Sequence, residues 1–366
     1  MLYKSVIRPL LFRKDPEASH DMILSLLAKA EGFSGILEKL YRVDDPRLAV
    51  KVGSLAFANP VGLAGGFDKN ALAPKAIASF GFGHLEIGAV TAQAQPGNPK
   101  PRLYRLPEDD ALINRFGFNN EGAAAIAAKL ERLRARGGLP NIPLGMNIGR
   151  TKIVETKDAV ADFVACFDTL YPYGDFFTLN ISSPNTPSLR DLQEKELLRE
   201  LLAAVQERNR RLSAGASEAK PVFVKIAPDM AFSQLDEIIE VVEAVRLTGI
   251  VATNATAFMR DSLKSAHGRE SGGLSGKPIA ATVTSFISHI CRVTQGRLPI
   301  IGVGGIFNAE DAYDKIKAGA SAVQIYTGWI YEGPGAVRRI NRGLLRLLER
   351  DGLKNISEAV GRGVKS

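Results

Sequence analysis

The chain has 366 residues, 45% hydrophobic and 23% charged, a globular composition that supplies a large buried core and excludes a disordered or fibrous protein. Its formal charge of +8 admits anionic ligands or an anionic membrane surface, whereas basic residues dispersed and not interleaved with aromatics argue against nucleic acid. Cys166 and Cys291 lie far apart and His20, His84, His267 and His289 are scattered, so no disulfide framework or metal site is expected and a reducing compartment is the default.

Residues 1–42 read as helical. Leu2, Tyr3, Val6, Ile7, Leu10 and Leu11 recur at helical spacing beside Lys4, Arg8, Arg13 and Lys14,. Asp15-Pro16-Glu17 is a helix start, with an N-cap acceptor, a proline in the first turn and an acid at the positive dipole end. Met22, Ile23, Leu26, Leu27 and Ala30 continue on one face, and Ile36, Leu37 and Leu40 follow an interruption at Gly32–Gly35. Two readings stand: a helical subdomain docked on the main domain, or a basic amphipathic pair lying on a membrane. Periodicity alone favours docking. The early acids Asp15 and Glu17 argue against a secretory signal or long transit peptide, and no apolar run approaches the roughly 20 residues of a membrane span.

Residues 47–58 alternate around Gly53-Ser54 as a β-hairpin does. Eight short apolar runs then recur at Val61–Gly65, Leu85–Val90, Ile142–Ile148, Phe176–Ile181, Val222–Ile226, Ile250–Thr253, Ile300–Val303 and Ala322–Tyr326. Amphipathic segments lie between them at Gly122–Arg136, Ala159–Leu170, Lys195–Leu212, Gln234–Val245, Lys277–Val293 and Ala309–Ala318. Strands apolar on both faces and alternating with helices predict an α/β fold, a (β/α)8 TIM barrel, with a small N-terminal helical domain over 1–45 and the barrel over 46–366. A doubly wound sheet is the alternative, but its GxGxxG signature is absent.

A barrel carries its chemistry at the carboxyl ends of its strands. There the sequence places Gly65-Gly66-Phe67-Asp68-Lys69-Asn70, Gly88-Ala89-Val90-Thr91, Asn147, Asn180, Lys225, Thr253-Asn254, Gly304-Gly305 and Tyr326-Thr327-Gly328. A single lysine or asparagine there is more often a structural hydrogen bonder. Lys69, Asn147, Asn180, Lys225 and Asn254 together make a ring of amides and ammonium groups suited to a flat heterocycle with carbonyls and an anionic group. Glycines after strands seven and eight suit a phosphate, though tight βα turns also use them. Asn180-Ile-Ser-Ser-Pro-Asn-Thr-Pro-Ser-Leu-Arg190 is a rigid polar loop with neither a GxSxG elbow nor a nearby histidine, so an acyl-transfer serine is not expected.

With this segment, Gly65–Asn70, Gln95–Pro99, Ile113–Asn119, Val224–Asp229, Gly272–Gly276 and Ile300–Ile306, the sequence resembles the dihydroorotate dehydrogenases of the membrane-associated, quinone-linked class over nearly its whole length. The resemblance implies an FMN-dependent oxidation of (S)-dihydroorotate to orotate in pyrimidine synthesis, with a membrane quinone as acceptor. It implies that Ser183 removes the C5 proton while hydride leaves C6 for flavin N5; soluble classes use cysteine at this position. Substrate contacts are implied for Lys69, Asn114, Arg115, Phe116, Gly117, Phe118, Asn180, Asn185 and Asn254. FMN contacts are implied for Gly65, Gly66, Phe67, Asp68, Lys69, Ala89, Asn147, Asn180, Lys225, Thr253, Gly276, Gly305, Tyr326 and Thr327. His20, Arg105 and Tyr326 match positions near a quinone head group, and the N-terminal helices become an apolar tunnel from the membrane. Ala89 and Ala255 depart from the hydroxyl residues common in relatives, with Thr256 as a substitute donor at the second. The expected setting is peripheral, on the cytoplasmic face of a bacterial inner membrane. A soluble flavin barrel and a non-redox phosphate-handling barrel are the rivals, and the oligomeric state stays open.

Overall fold

Strands that are apolar on both faces need cover on both sides, and this chain supplies it by closing the sheet on itself. The computed structural model describes residues 2–186, 188–214 and 218–364. In chain order the strands are β1 (Val50–Val52), β2 (Leu55–Phe57), β3 (Val61–Leu63), β4 (His84–Val90), β5 (Leu103–Leu106), β6 (Ala111–Asn114) and β7 (Leu144–Ile148). They continue as β8 (Phe176–Asn180), β9 (Val222–Ile226), β10 (Gly249–Ala252), β11 (Gly273–Gly276), β12 (Ile300–Val303) and β13 (Ala322–Ile325). β3, β4, β7, β8, β9, β10, β12 and β13 pair in parallel, each with its neighbour, and β13 returns to β3 to close the barrel. These are the eight runs expected from the sequence, with ends shifted by up to two residues.

The outer helices follow the amphipathic segments. Ala159–Leu170 turns Phe163, Cys166, Phe167 and Leu170 inward, and Lys195–Leu212 turns Leu198, Leu201, Leu202 and Val205 inward, the i, i+3/i+4, i+7 spacing of a buried helical stripe. The β1–β2 hairpin lies across the amino ends of the strands. Phe57 stacks on His84, which opens β4, at 4.2 Å, and approaches Phe176, which opens β8, at 6.3 Å.

At the other end, two insertions meet. The chain after β4 forms β5 and β6, and the chain after β10 forms β11. Parallel strands send both loops out of the same face, so β11 can pair antiparallel with β6 and β6 with β5 in one three-stranded sheet over the mouth. The sequence pattern alone did not reveal this sheet.

The N-terminal helices α1 (Arg8–Phe12), α2 (Pro16–Lys29) and α3 (Ser34–Tyr41) are fixed by polar joints. Asp15 caps α2 by accepting from the Ala18 amide at 2.8 Å. Glu17, buried on α2, takes a forked bond from Arg102, with Nη2 at 2.8 Å from Oε1 and Nε at 3.1 Å from Oε2. Such a pair is both charge-assisted and directional. Leu2, Val6, Leu10, Leu26, Phe33, Ile36 and Leu40 are about half exposed or more.

Candidate active site

The carboxyl ends of the strands surround a cleft that opens to solvent. Gly65, Gly66 and Lys69 enter it after β3, Ala89 from β4, Asn180 and Ser183 from the end of β8, Lys225 from β9, and Thr253 and Asn254 from beyond β10. Gly304 and Gly305 follow β12, and Tyr326, Thr327 and Gly328 follow β13. The mouth sheet contributes Asn114, Phe116, Gly117, Phe118, Ser275 and Gly276, and Asn185 closes one side.

Two ammonium groups face this cleft. Lys69 is 8% exposed and Lys225 4%, and neither has a hydrogen-bond partner among the described residues. Burial pulls the Lys69 pKa down to about 8 and also lowers that of Lys225, because a desolvated cation is penalised. Lys69 Nζ lies 4.0 Å from the centre of the Phe116 ring, a cation–π contact that holds the charge without neutralising it. Buried, unpaired cations are costly; this arrangement suits anionic or electron-rich ligand groups at both places.

The asparagines form one bonded chain. Asn147 donates to Glu86, Asn180 to Asn147 and Asn254 to Asn180, at 2.9, 3.0 and 3.1 Å. Gly65 has to be glycine beside it, since a Cβ there would stand 2.9 Å from Asn147 Nδ2. Across the cleft Gly305 has φ +72 and a Cβ would meet Ala280 at 2.4 Å, so backbone lies bare where an anion can approach. Asn308 is not part of that cradle: it caps its own helix by accepting from Asp311 N at 2.8 Å.

Ser183 is 6% exposed, and its Oγ accepts a 3.3 Å bond from the Asn185 amide. Asn185 in turn donates to the Asn114 carbonyl at 3.0 Å, tying the loop to the mouth sheet.

Some anticipated residues stand elsewhere. Arg115 points away from the cleft to Glu270, at 2.9 Å, and Ser271, because in extended chain it alternates with Asn114 and Phe116. Asp68 accepts from the Leu72 and Ala73 amides at 2.8 and 2.9 Å and so shapes the turn carrying Lys69. Phe67 turns its back on the cleft, packing on Trp329, Tyr326 and His20. Asn147 lies behind Asn180 rather than on the cleft wall. Thr256 is no substitute for Ala255: it is fully buried and its hydroxyl is bonded to Asp229. Glu86 and Thr178 meet Gln324, a residue of the cleft wall, inside the barrel, and nothing in the local sequence pattern marks these three.

Phe67 belongs to a second cavity. Ile7 just before α1, Leu11 and Phe12 of α1, and Ile23 and Leu27 of α2 line it on one side, and Phe67, Phe80, Leu103, Leu112, Trp329 and Ile330 on the barrel side. His20 and Arg105 are its polar members besides Tyr3, Ser19 and Tyr326. His20 Nε2 is 2.8 Å from the Phe67 carbonyl. Arg105 donates to the Lys14 carbonyl at 2.8 Å and lies over the Phe12 ring. Tyr326 is the one described residue on the walls of both cavities.

The family model described as "Dihydroorotate dehydrogenase" matches residues 47–348. The chain belongs to the dihydroorotate dehydrogenase family. A relative named dihydroorotate dehydrogenase (quinone) from Gloeobacter violaceus is 49% identical over 362 residues, 98% of each chain. Another of that name from Cereibacter sphaeroides is 51% identical over 353 residues, covering 96% of this chain and 95% of its own. Among solved structures, a dihydroorotate dehydrogenase from Eimeria tenella in complex with ferulenol superposes with a TM-score of 0.89 at 38% identity, covering 96% of both chains. Members of this family are flavin-dependent dehydrogenases, and the bare glycine backbone and buried Lys225 fit such a group.

Proposed function

We propose that this protein oxidises (S)-dihydroorotate to orotate with bound FMN and passes the electrons to a membrane quinone. One observation carries the reading: a polar cleft with unpaired ammonium groups and an apolar cavity lie on either side of a single residue, Tyr326. A flavin in the cleft supplies a hydride acceptor that a water-soluble acid can reduce and a lipid-soluble oxidant can discharge.

The chain's own residues do the rest. Lys225, Thr253 and the glycines at 65, 276 and 305 would hold the cofactor, with Lys225 placed to favour the negative charge of its reduced form,. Lys69 pairs with the substrate carboxylate, and Asn114, Asn180, Asn185 and Asn254 meet the ring's N–H and C=O groups. Ser183 takes the C5 proton and gives up its own hydroxyl proton to a neighbouring acceptor, so its charge does not change overall. The Thr186 hydroxyl, buried in the same loop and without a partner among the described residues, would relay that proton by taking it up and passing its own on to water, so the proton ends in solvent.

The half-exposed apolar residues of α1–α3, interspersed with exposed Arg13, Lys14, Lys29 and Lys39, suit an anionic membrane surface. No helix among the described residues is long and apolar enough to cross a membrane. We propose a peripheral setting on the cytoplasmic face of an inner membrane, with the second cavity as the quinone's route and His20, Arg105 and Tyr326 near its head group.

The test is anaerobic. Dihydroorotate added to the purified holoprotein is expected to bleach the flavin spectrum, and a short-chain ubiquinone analogue to restore it. A spectrum that dihydroorotate leaves unchanged overturns the substrate; bleaching that the quinone cannot reverse overturns the acceptor.

A further inference from the structure

Glu86 lies in the middle of β4 with its side chain inside the barrel, 1% exposed. Three donors converge on it: Asn147 Nδ2 at 2.9 Å, Thr178 Oγ1 at 2.9 Å and Gln324 Nε2 at 2.8 Å. From Asn147 the bonds run outward. Asn180 Nδ2 donates to Asn147 Oδ1, and Asn254 Nδ2 donates both to Asn180 Oδ1 and, at 3.1 Å, to Ser182 Oγ.

A side-chain amide is nearly the same shape either way round, so a chain of amides has two possible senses. A carboxylate accepts and does not donate. Asn147 must therefore turn its NH2 towards Glu86 and its oxygen towards Asn180, and each later amide inherits that sense. We propose that Glu86 is a positioning residue that sets the direction of the asparagine chain and, through it, the hydrogen-bonding pattern the cleft presents to a ring ligand.

In this sense Asn180 retains one N–H for the cleft. Asn254 has both N–H groups engaged and retains acceptor capacity on Oδ1, which takes one 2.8 Å bond from the Ala255 amide. The cleft offers a donor beside an acceptor, the complement of a C(=O)–NH edge such as a dihydropyrimidine dione carries. The reversed chain would set N–H against N–H and carbonyl against carbonyl. Sites built to hydrogen-bond a ligand discriminate steeply against such a mismatch. The inference rests on dihydroorotate being the substrate and is independent of the electron acceptor.

Orotate binding to the holoprotein, read from the shift of the flavin absorption band, tests it. Glu86→Gln keeps the shape but lets the chain reverse, and is expected to weaken orotate binding by about tenfold or more while flavin stays bound. The double variant Glu86→Gln/Asn147→Asp moves the acceptor-only group one link outward and conserves the buried charge. It is expected to recover most of the lost affinity, which a merely structural defect would not do. Unchanged orotate binding in Glu86→Gln, or a double variant as weak as the single one, overturns the proposal. Neutron diffraction from the deuterated wild-type holoprotein reads the amide hydrogens directly and serves if Glu86→Gln does not fold. The NH2 groups of Asn147, Asn180 and Asn254 are each expected to point inward along the chain towards Glu86, and any reversed amide among them overturns the proposal. If wild-type protein fails to bind orotate, the substrate reading falls and with it the consequence for that ligand, while the neutron result still decides the direction of the chain.

Discussion

The Lys69 ammonium is buried against Phe116, and burial lowers its pKa to about 8, with Asp21 and Glu17 opposing the shift. It is charged below that value and neutral above it. Orotate affinity is therefore expected to be level below about pH 7 and to fall as pH rises through 8, by up to roughly tenfold per unit. Binding titrations from acid to alkaline pH check this, and Lys69→Met should bind weakly with no such slope. Ser183→Ala is expected to keep its flavin and to slow flavin reduction by on the order of a hundredfold or more, read by anaerobic stopped flow; an unchanged rate removes Ser183 as the base. At this scale, Lys69, Asn180, Lys225 and Asn254 stood out in the sequence because polar groups at the ends of apolar strands need a reason. Glu86 did not, because its partners are 61, 92 and 238 residues away and meet only when the barrel closes. Arg115 shares a motif with Asn114 and Phe116, and strand alternation turns it out of the cleft,.

At the scale of elements, the most buried polar link between α2 and the barrel is the Arg102 guanidinium. Arg102 holds Glu17 and also donates to the Pro96 and Asn98 carbonyls at 2.7 and 2.8 Å, in the loop whose Asn98 side chain reaches the Asn185 carbonyl. Glu17→Gln leaves that charge buried with a weaker partner and is expected to cost up to about 3 kcal/mol of stability, measured by thermal or denaturant unfolding. Quinone reduction should suffer more than flavin reduction by dihydroorotate, since α2 walls the apolar cavity. Equal loss of both half-reactions would give the helices a purely structural role. The start of α2 was plain in Asp15-Pro16-Glu17, as were the eight strands, because local chemistry decides both. The sheet of β5, β6 and β11 was not, since strands of four residues from two distant insertions acquire meaning only from each other.

For the whole molecule, the barrel's closed end carries its own pH limit. His84 is fully buried under Phe57, neither ring nitrogen has a hydrogen-bond partner among the described residues, and burial pushes its pKa down to about 3. As pH falls below about 6.5 the unfolded chain takes up a proton that the folded chain refuses, so stability falls, by at most about 1.4 kcal/mol per unit until the folded pKa is reached. Above pH 6.5 this contribution is fully present. Denaturant unfolding at neutral and mildly acid pH should show the loss, and His84→Phe should reduce it.

Tyr326 stands between the two cavities and is the one described residue that touches both. Nothing molecular needs to pass it. A charged acid dissolved in water and an oil dissolved in lipid can each come and go on their own side, each at the concentration its own phase sets. The protein is then a junction between two solvents that exchange electrons and no matter. A ligand lodged in the apolar cavity should leave dihydroorotate's access untouched, yet be felt through the back of the same aromatic ring as a small change in the colour of the bound flavin.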